Sequence, residues 1–174
     1  MTFSIRKTIR GFVAPRHRLS CSTRVWKEGL AELRRRTQGV HESGAFLLGY
    51  KEGARRRITR FAYYDDFDPH SLDTGIVVFD GSGYGPLWQL CRETSLTVVA
   101  DVHVHGGAAL QSNADRDNPM IALPGHVAII LPDFANRIVW QREVGIYEYE
   151  GQHRWHDWSG KRAKQFLYIS FWSY

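Results

Sequence analysis

His103 and His105 are separated by one residue and stand at the end of an apolar run, 97–102. Along an extended strand the side chains alternate between faces, so imidazoles at i and i+2 point to the same side and converge without distorting the backbone. Two such nitrogens suit zinc, which in a catalytic site takes a third protein ligand and leaves its fourth position to water. Asp115 can supply that ligand. Gly106 and Gly107 let the chain turn sharply out of the strand, and an Asp in the first turn of the next helix can be aimed back at the strand end. Ser112, three residues earlier, is an N-cap for that helix and makes a capping-box-like start with Asp115. Asp117 is the rival ligand, but two residues along a helix turn the side chain by about 200°, to nearly the opposite face. Asp101 shares the strand face of both histidines and is a candidate to orient a ligand from behind.

Other zinc patterns fit worse. His41-Glu42 is not followed by a histidine at position 45, where Ala45 stands, so HExxH is absent. There is no PCxxC partner for a deaminase. Cys21 and Cys91 are the only cysteines, too few for a thiolate site or a disulfide framework.

Several elements must position these residues. Residues 23–36 read as a helix with Val25, Trp26, Leu30 and Leu33 on one face, ended by Gln38 and Gly39. Residues 45–50 and 57–64 read as strands around a polar turn at 51–54. A glycine-rich loop at 81–85 precedes a helix opened by Pro86. Buried strands follow at 96–103 and 125–131, and 145–150 with 152–158 reads as a hairpin turning at Gly151. The aromatic stretch 166–174 is a last strand or a strip packed on the body or on a partner. The mixture of helices and strands predicts an α+β or α/β sandwich, with a mixed or mostly antiparallel sheet flanked by helices.

Glu42, taken alone, is an ordinary acid between a helix end and a strand. In order, however, the chain carries Glu42, then Ser-Gly-Ala-Phe-Leu-Leu-Gly over 43–49, then His103-Val104-His105, then Ser112-Asn113-Ala114-Asp115. This set resembles the JAB/MPN family of zinc metalloproteases, the JAMM type, and residues 24–142 follow that family's element order. Two departures stand out. The 106–111 spacer has six residues where the family has seven, and Gly106 replaces a frequent proline. The resemblance implies Zn2+ held by His103, His105 and Asp115, with Glu42 as general base and Ser112 as donor to the developing oxyanion. It also implies an isopeptidase or peptidase that cleaves after the C-terminus of a ubiquitin-like protein. Short bacterial members look like enzymes of ubiquitin-like conjugation or antiphage systems, with E1-like and E2-like operon partners. A catalytically silent scaffold of the same fold, or a zinc peptidase acting on small peptides, is the competing reading.

At 174 residues and 43% hydrophobic, the chain is long enough to bury a sizeable core as one domain, 1–174. It has a strand-like N-terminal extension (about 1–22), where Phe3, Ile5, Ile9 and Phe12 alternate, and an aromatic C-terminal strand or tail (about 159–174). No apolar run reaches the roughly 20 residues that span a bilayer, and none of h-region length precedes Pro15, so the expectation is a cytoplasmic protein with no membrane partner. The net charge of +5 is uneven, with seven Lys or Arg and no acid in the first 27 residues and arginine triplets at 34–36 and 55–57. These read as solvated faces sooner than as a nucleic-acid surface.

Overall fold

In the computed structural model, which describes residues 17–137, 139 and 141–170, helix α1 (Thr23–Thr37) begins at an N-cap, Ser22. The Ser22 hydroxyl accepts from the Val25 amide at 3.2 Å, satisfying one amide that the helix cannot bond internally. Trp26, Gly29 and Leu33 are buried along one face, and Gln38 in left-handed backbone ends the helix. Among the described residues there are three further helices: α2 (Tyr84–Thr94), α3 (Asn113–Asp117) and α4 (Ala163–Phe166).

The strands are β1 (Leu19–Ser22), β2 (Gly44–Glu52), β3 (Arg55–Tyr63), β4 (Thr97–Val104), β5 (Val127–Leu131), β6 (Gly145–Gly151), β7 (Arg154–Asp157) and β8 (Leu167–Ser170). They form one sheet in the order β7-β6-β5-β4-β2-β3-β1-β8. The β2 pairings with β3 and β4, and those of β6 with β5 and β7, are antiparallel. β1 lies parallel to β3 and to β8, and β4 parallel to β5. The protein is therefore α+β with a mixed sheet, which curls into a half-barrel. Arg18, just before β1, shows the curl: it makes two 2.6 Å hydrogen bonds to Glu148 of β6, which lies far across the strand order. Trp158 adds a 3.0 Å bond from its indole to the same carboxylate.

Strand alternation fills two cores. Ala45 and Leu47 of β2 join Trp26 and Leu33 of α1 in the larger one. Phe46 and Leu48, pointing the other way, join Leu87 and Cys91 of α2 in the smaller. Helices thus cover both faces, and β4 runs through the middle of the sheet.

The arginine triplets are not simply solvated. Arg36 bonds Glu32, Asp65 and Asp66 and stacks over Tyr63 at 4.2 Å, while the Arg56 guanidinium donates to the carbonyls of Val99 and Gly125. Each triplet spends one member on fastening the fold. Within the C-terminal segment α4 and β8 are seen; the alternating residues Phe3, Ile5, Ile9 and Phe12, and residues 171–174, lie outside the described residues. Among the described residues no helix is long and apolar enough to cross a membrane.

Glu148→Ala should lower stability by about 1–3 kcal/mol, because it strips the bonding partners of Arg18 and Trp158. The urea midpoint measures the loss, and the secondary structure should persist at zero denaturant.

Candidate metal centre

β4 delivers the histidine pair as its pleat requires. His103 lies in the strand, opposite Gly44 of β2, and His105 follows it, its amide donating to the Leu131 carbonyl at 2.9 Å. A side chain on Gly44 would collide with the Tyr64 ring, so glycine is required beside the histidine. The two Nε2 atoms are 3.0 Å apart. Asp115 completes the group: Oδ1 lies 3.4 Å from the His103 Nε2, and Oδ2 lies 3.4 Å from the His105 Nε2. Bonds of about 2.0–2.1 Å to a tetrahedral zinc place donor atoms about 3.3–3.4 Å apart, so the three side chains fit that ion. Among the described residues they are the one group of histidine, cysteine and acid side chains able to hold a metal. Asp117, the rival ligand, is exposed and outside the group.

The six-residue spacer reaches because it is pinned. Gly107 accepts from the Asp133 amide at 3.0 Å, and His105 accepts from the Phe134 amide at 2.8 Å. The Tyr147 hydroxyl donates to the Ala109 carbonyl and accepts from the Gln111 amide, both at 3.3 Å. Gly106 is needed for this route, since a Cβ there would sit 2.6 Å from the Phe134 ring. Helix α3 then starts on a full capping box. The Ser112 hydroxyl accepts from the Asp115 amide at 3.1 Å, and the Asp115 Oδ2 accepts from the Ser112 amide at 2.7 Å. The cap uses the Ser112 oxygen as acceptor and leaves its proton to be donated elsewhere.

Glu42 precedes β2. Its Oε1 lies 3.7 Å from the His105 Nε2, and its Oε2 accepts from the Val77 amide at 3.2 Å. The Glu42 amide donates to the Gly75 carbonyl at 3.0 Å, so this residue is laced to the 74–80 segment through both backbone and side chain. That segment is anchored in turn: Asp68 accepts from the amides of His70 and Asp80, and Phe79 packs edge-on to Phe46 with ring centroids 5.1 Å apart. Val77 and Phe79 face inward, while Ile76 and Val78 are about half exposed. They line a cleft of about 400 Å³ together with Tyr84, Met120, Glu42, His103, Ser112 and Asp115. Of the glycine-rich 81–85 loop only Tyr84 reaches this lining; the wall itself is 76–79.

Electrostatics favour a charged ion pair in the metal-free group. Burial works against charge on His103, but the carboxylates of Asp101 and Asp115 outweigh it and carry its pKa up to about 9. Asp115 is half-buried, which would raise its pKa, yet His103 and His105 hold it far below the usual carboxylate range. Asp101, wholly buried, lies with Oδ2 4.0 Å from the His103 Nδ1.

All five residues singled out from the sequence, Glu42, His103, His105, Ser112 and Asp115, therefore meet at one place. The Val77 amide and the Tyr147 hydroxyl were missed: the first is a backbone group, and the second acts through a loop 36 residues distant. No protein-family model matches the chain. Solved structures of similar fold include the solution structure of protein DSY2949 from Desulfitobacterium hafniense, with a TM-score of 0.61 at 15% identity over 80% of this chain and 88% of that one. A protein from Salinibacter ruber is similar with a TM-score of 0.55 at 16% identity, over 79% of this chain and 87% of that one. At such identities the likeness concerns the fold alone.

The pKa shift of His103 predicts how stability depends on pH in the metal-free protein. Because its folded pKa lies above the ordinary 6.5, the stabilisation is complete below pH 6.5 and disappears as pH climbs through about 9. The depressed Asp115 works in the other direction, its contribution present above about pH 3.8 and lost in acid. Urea unfolding of the chelator-treated protein should show a declining alkaline limb between pH 6.5 and 9, and His103→Asn should lack it.

Proposed function

We propose that this protein is a zinc-dependent isopeptidase or peptidase of the JAB/MPN, JAMM type, cleaving after the C-terminus of a ubiquitin-like protein. The observation that carries the reading is the convergence of His103, His105 and Asp115 at donor separations of 3.0–3.4 Å, with Glu42 beside them. Zinc in that position would lower the pKa of water toward neutrality and so supply a nucleophile at working pH. Glu42, oriented by the Val77 amide, would take the proton and hand it to the leaving amine. Ser112, whose oxygen is already occupied by the Asp115 amide, would point its proton at the developing oxyanion. The half-exposed Ile76 and Val78 offer an apolar, extended wall, which suits an uncharged peptide tail better than a sugar or a nucleotide. In this reading the partners are a ubiquitin-like protein and its conjugates, with E1-like and E2-like enzymes beside it in a bacterial conjugation or antiphage system. A silent scaffold is disfavoured because ligands, base and oxyanion donor are all present and mutually oriented.

Glu42→Gln should retain stoichiometric zinc and lose about 10²–10⁴-fold in cleavage of a ubiquitin-like protein fused through its C-terminus to a reporter. Ser112→Ala removes a helix cap as well as a donor, so the glutamate variant isolates the chemistry. Full activity in Glu42→Gln, or a folded parent protein that refuses zinc on reconstitution, would sink the proposal.

A further inference from the structure

A buried polar cluster lies behind His103, on the side away from the other ligands. His103 turns Nε2 toward His105 and Asp115, and its Nδ1 is buried without a hydrogen-bond partner. Asp101, two residues earlier on the same strand face, is wholly buried, a costly place for a carboxylate unless its oxygens are bonded. Its bonds come from two other parts of the chain. Oδ1 accepts from the His126 Nε2 at 2.6 Å, and Oδ2 accepts from the Tyr64 hydroxyl at 3.1 Å. Both donors are themselves fixed. His126 sits just before β5, its amide donating to Leu123 and its carbonyl accepting from Tyr149, and Tyr64 is buried with its ring 4.8 Å from that of Phe46.

A carboxylate has room for about four acceptor contacts, and two are used here. Oδ2 still faces the orphan His103 Nδ1 at 4.0 Å, about one ångström beyond hydrogen-bond length. A buried acceptor that faces a buried, unpartnered ring nitrogen favours the proton on that nitrogen. When the ring is neutral, the opposite nitrogen then keeps its lone pair for a metal.

We infer that Asp101 is a positioning residue of the metal centre, which holds His103 in its Nδ1–H tautomer with Nε2 free to ligate, while Tyr64 and His126 clamp the carboxylate from two sides. The inference rests on the metal reading above and adds three residues to it. A cluster serving only to satisfy a buried charge would leave both the tautomer of His103 and the affinity for metal unchanged when altered.

The test uses the full chain labelled with ¹⁵N-histidine. Long-range ¹H–¹⁵N correlation spectra of the zinc-loaded protein should place the His103 proton on Nδ1. Competition with a chromophoric chelator should show zinc bound about 10–100-fold more weakly by Asp101→Asn, with the fold retained by circular dichroism. Tyr64→Phe, which keeps the carboxylate and removes one clamp, should weaken zinc by a smaller factor, and it carries the affinity arm if Asp101→Asn does not fold. The inference is overturned by a His103 proton on Nε2, or by variants that fold and bind zinc within twofold of the parent. A parent chain that takes up no zinc overturns the metal centre itself, which is a different and separately visible failure.

Discussion

The site depends on a desolvation constraint in β4. That strand is internal to the sheet, with β2 on one side and β5 on the other, yet one of its faces carries Asp101 and His103 and leads into His105. Polar groups in such a place are costly unless each finds a partner. The partners come from four directions: Tyr64 at the end of β3, His126 before β5, Asp115 from α3, and Glu42 before β2. The opposite face of β4 presents Ala100, Val102 and Val104 to the larger core. A one-residue slip in register would exchange these two faces, so the core and the polar row enforce the same pairing.

Asp115 is held by different means. Helix α3 has five residues, far fewer than an isolated helix needs in water, so its own hydrogen bonds cannot place Asp115. The capping box fixes its first turn, and the Trp155 indole donates to the Arg116 carbonyl at 3.1 Å, fastening the helix to strand β7. Tyr147 of β6 bonds the spacer just before it. The side chains that aim Asp115 thus sit on the two strands at the far edge of the sheet, which explains how a shortened loop still brings its carboxylate to the histidines.

Much of this was legible in the residues, and the reason is that it was local. The helix end at Gln38, the i, i+2 histidines and the Ser112–Asp115 capping box are each set within a few positions of the chain. What escaped is long-range. Nothing near Tyr64 or His126 in the sequence marks them as partners of Asp101, from which they lie 37 and 25 residues away. The curl of the sheet brings Arg18 to Glu148, 130 residues away. The arginine triplets misled for the same cause, because charge patterning shows a basic run and not which guanidinium folds back onto a carbonyl or an acid. The cleft wall also escaped: 76–79 looks like a short apolar stretch in a loop, and its role follows from the hydrogen bond between Val77 and Glu42.

That hydrogen bond ties the cleft wall to Glu42. The segment that offers Ile76 and Val78 to the cleft holds the Glu42 carboxylate through the amide of the residue between them. Because the bond is made by the backbone, side chains at 76 and 78 are free to vary in size without releasing the carboxylate. A displacement of the segment itself is another matter. Anything that shifts the backbone of Val77 moves Oε2 with it, and the Glu42 amide bonded to Gly75 moves in concert. An extended ligand lying along this wall would press on the same backbone that orients the acid. The anchoring of the segment at Asp68 and Phe79 therefore does more than close a loop: it sets how firmly the acid stands beside His105 when the cleft is filled.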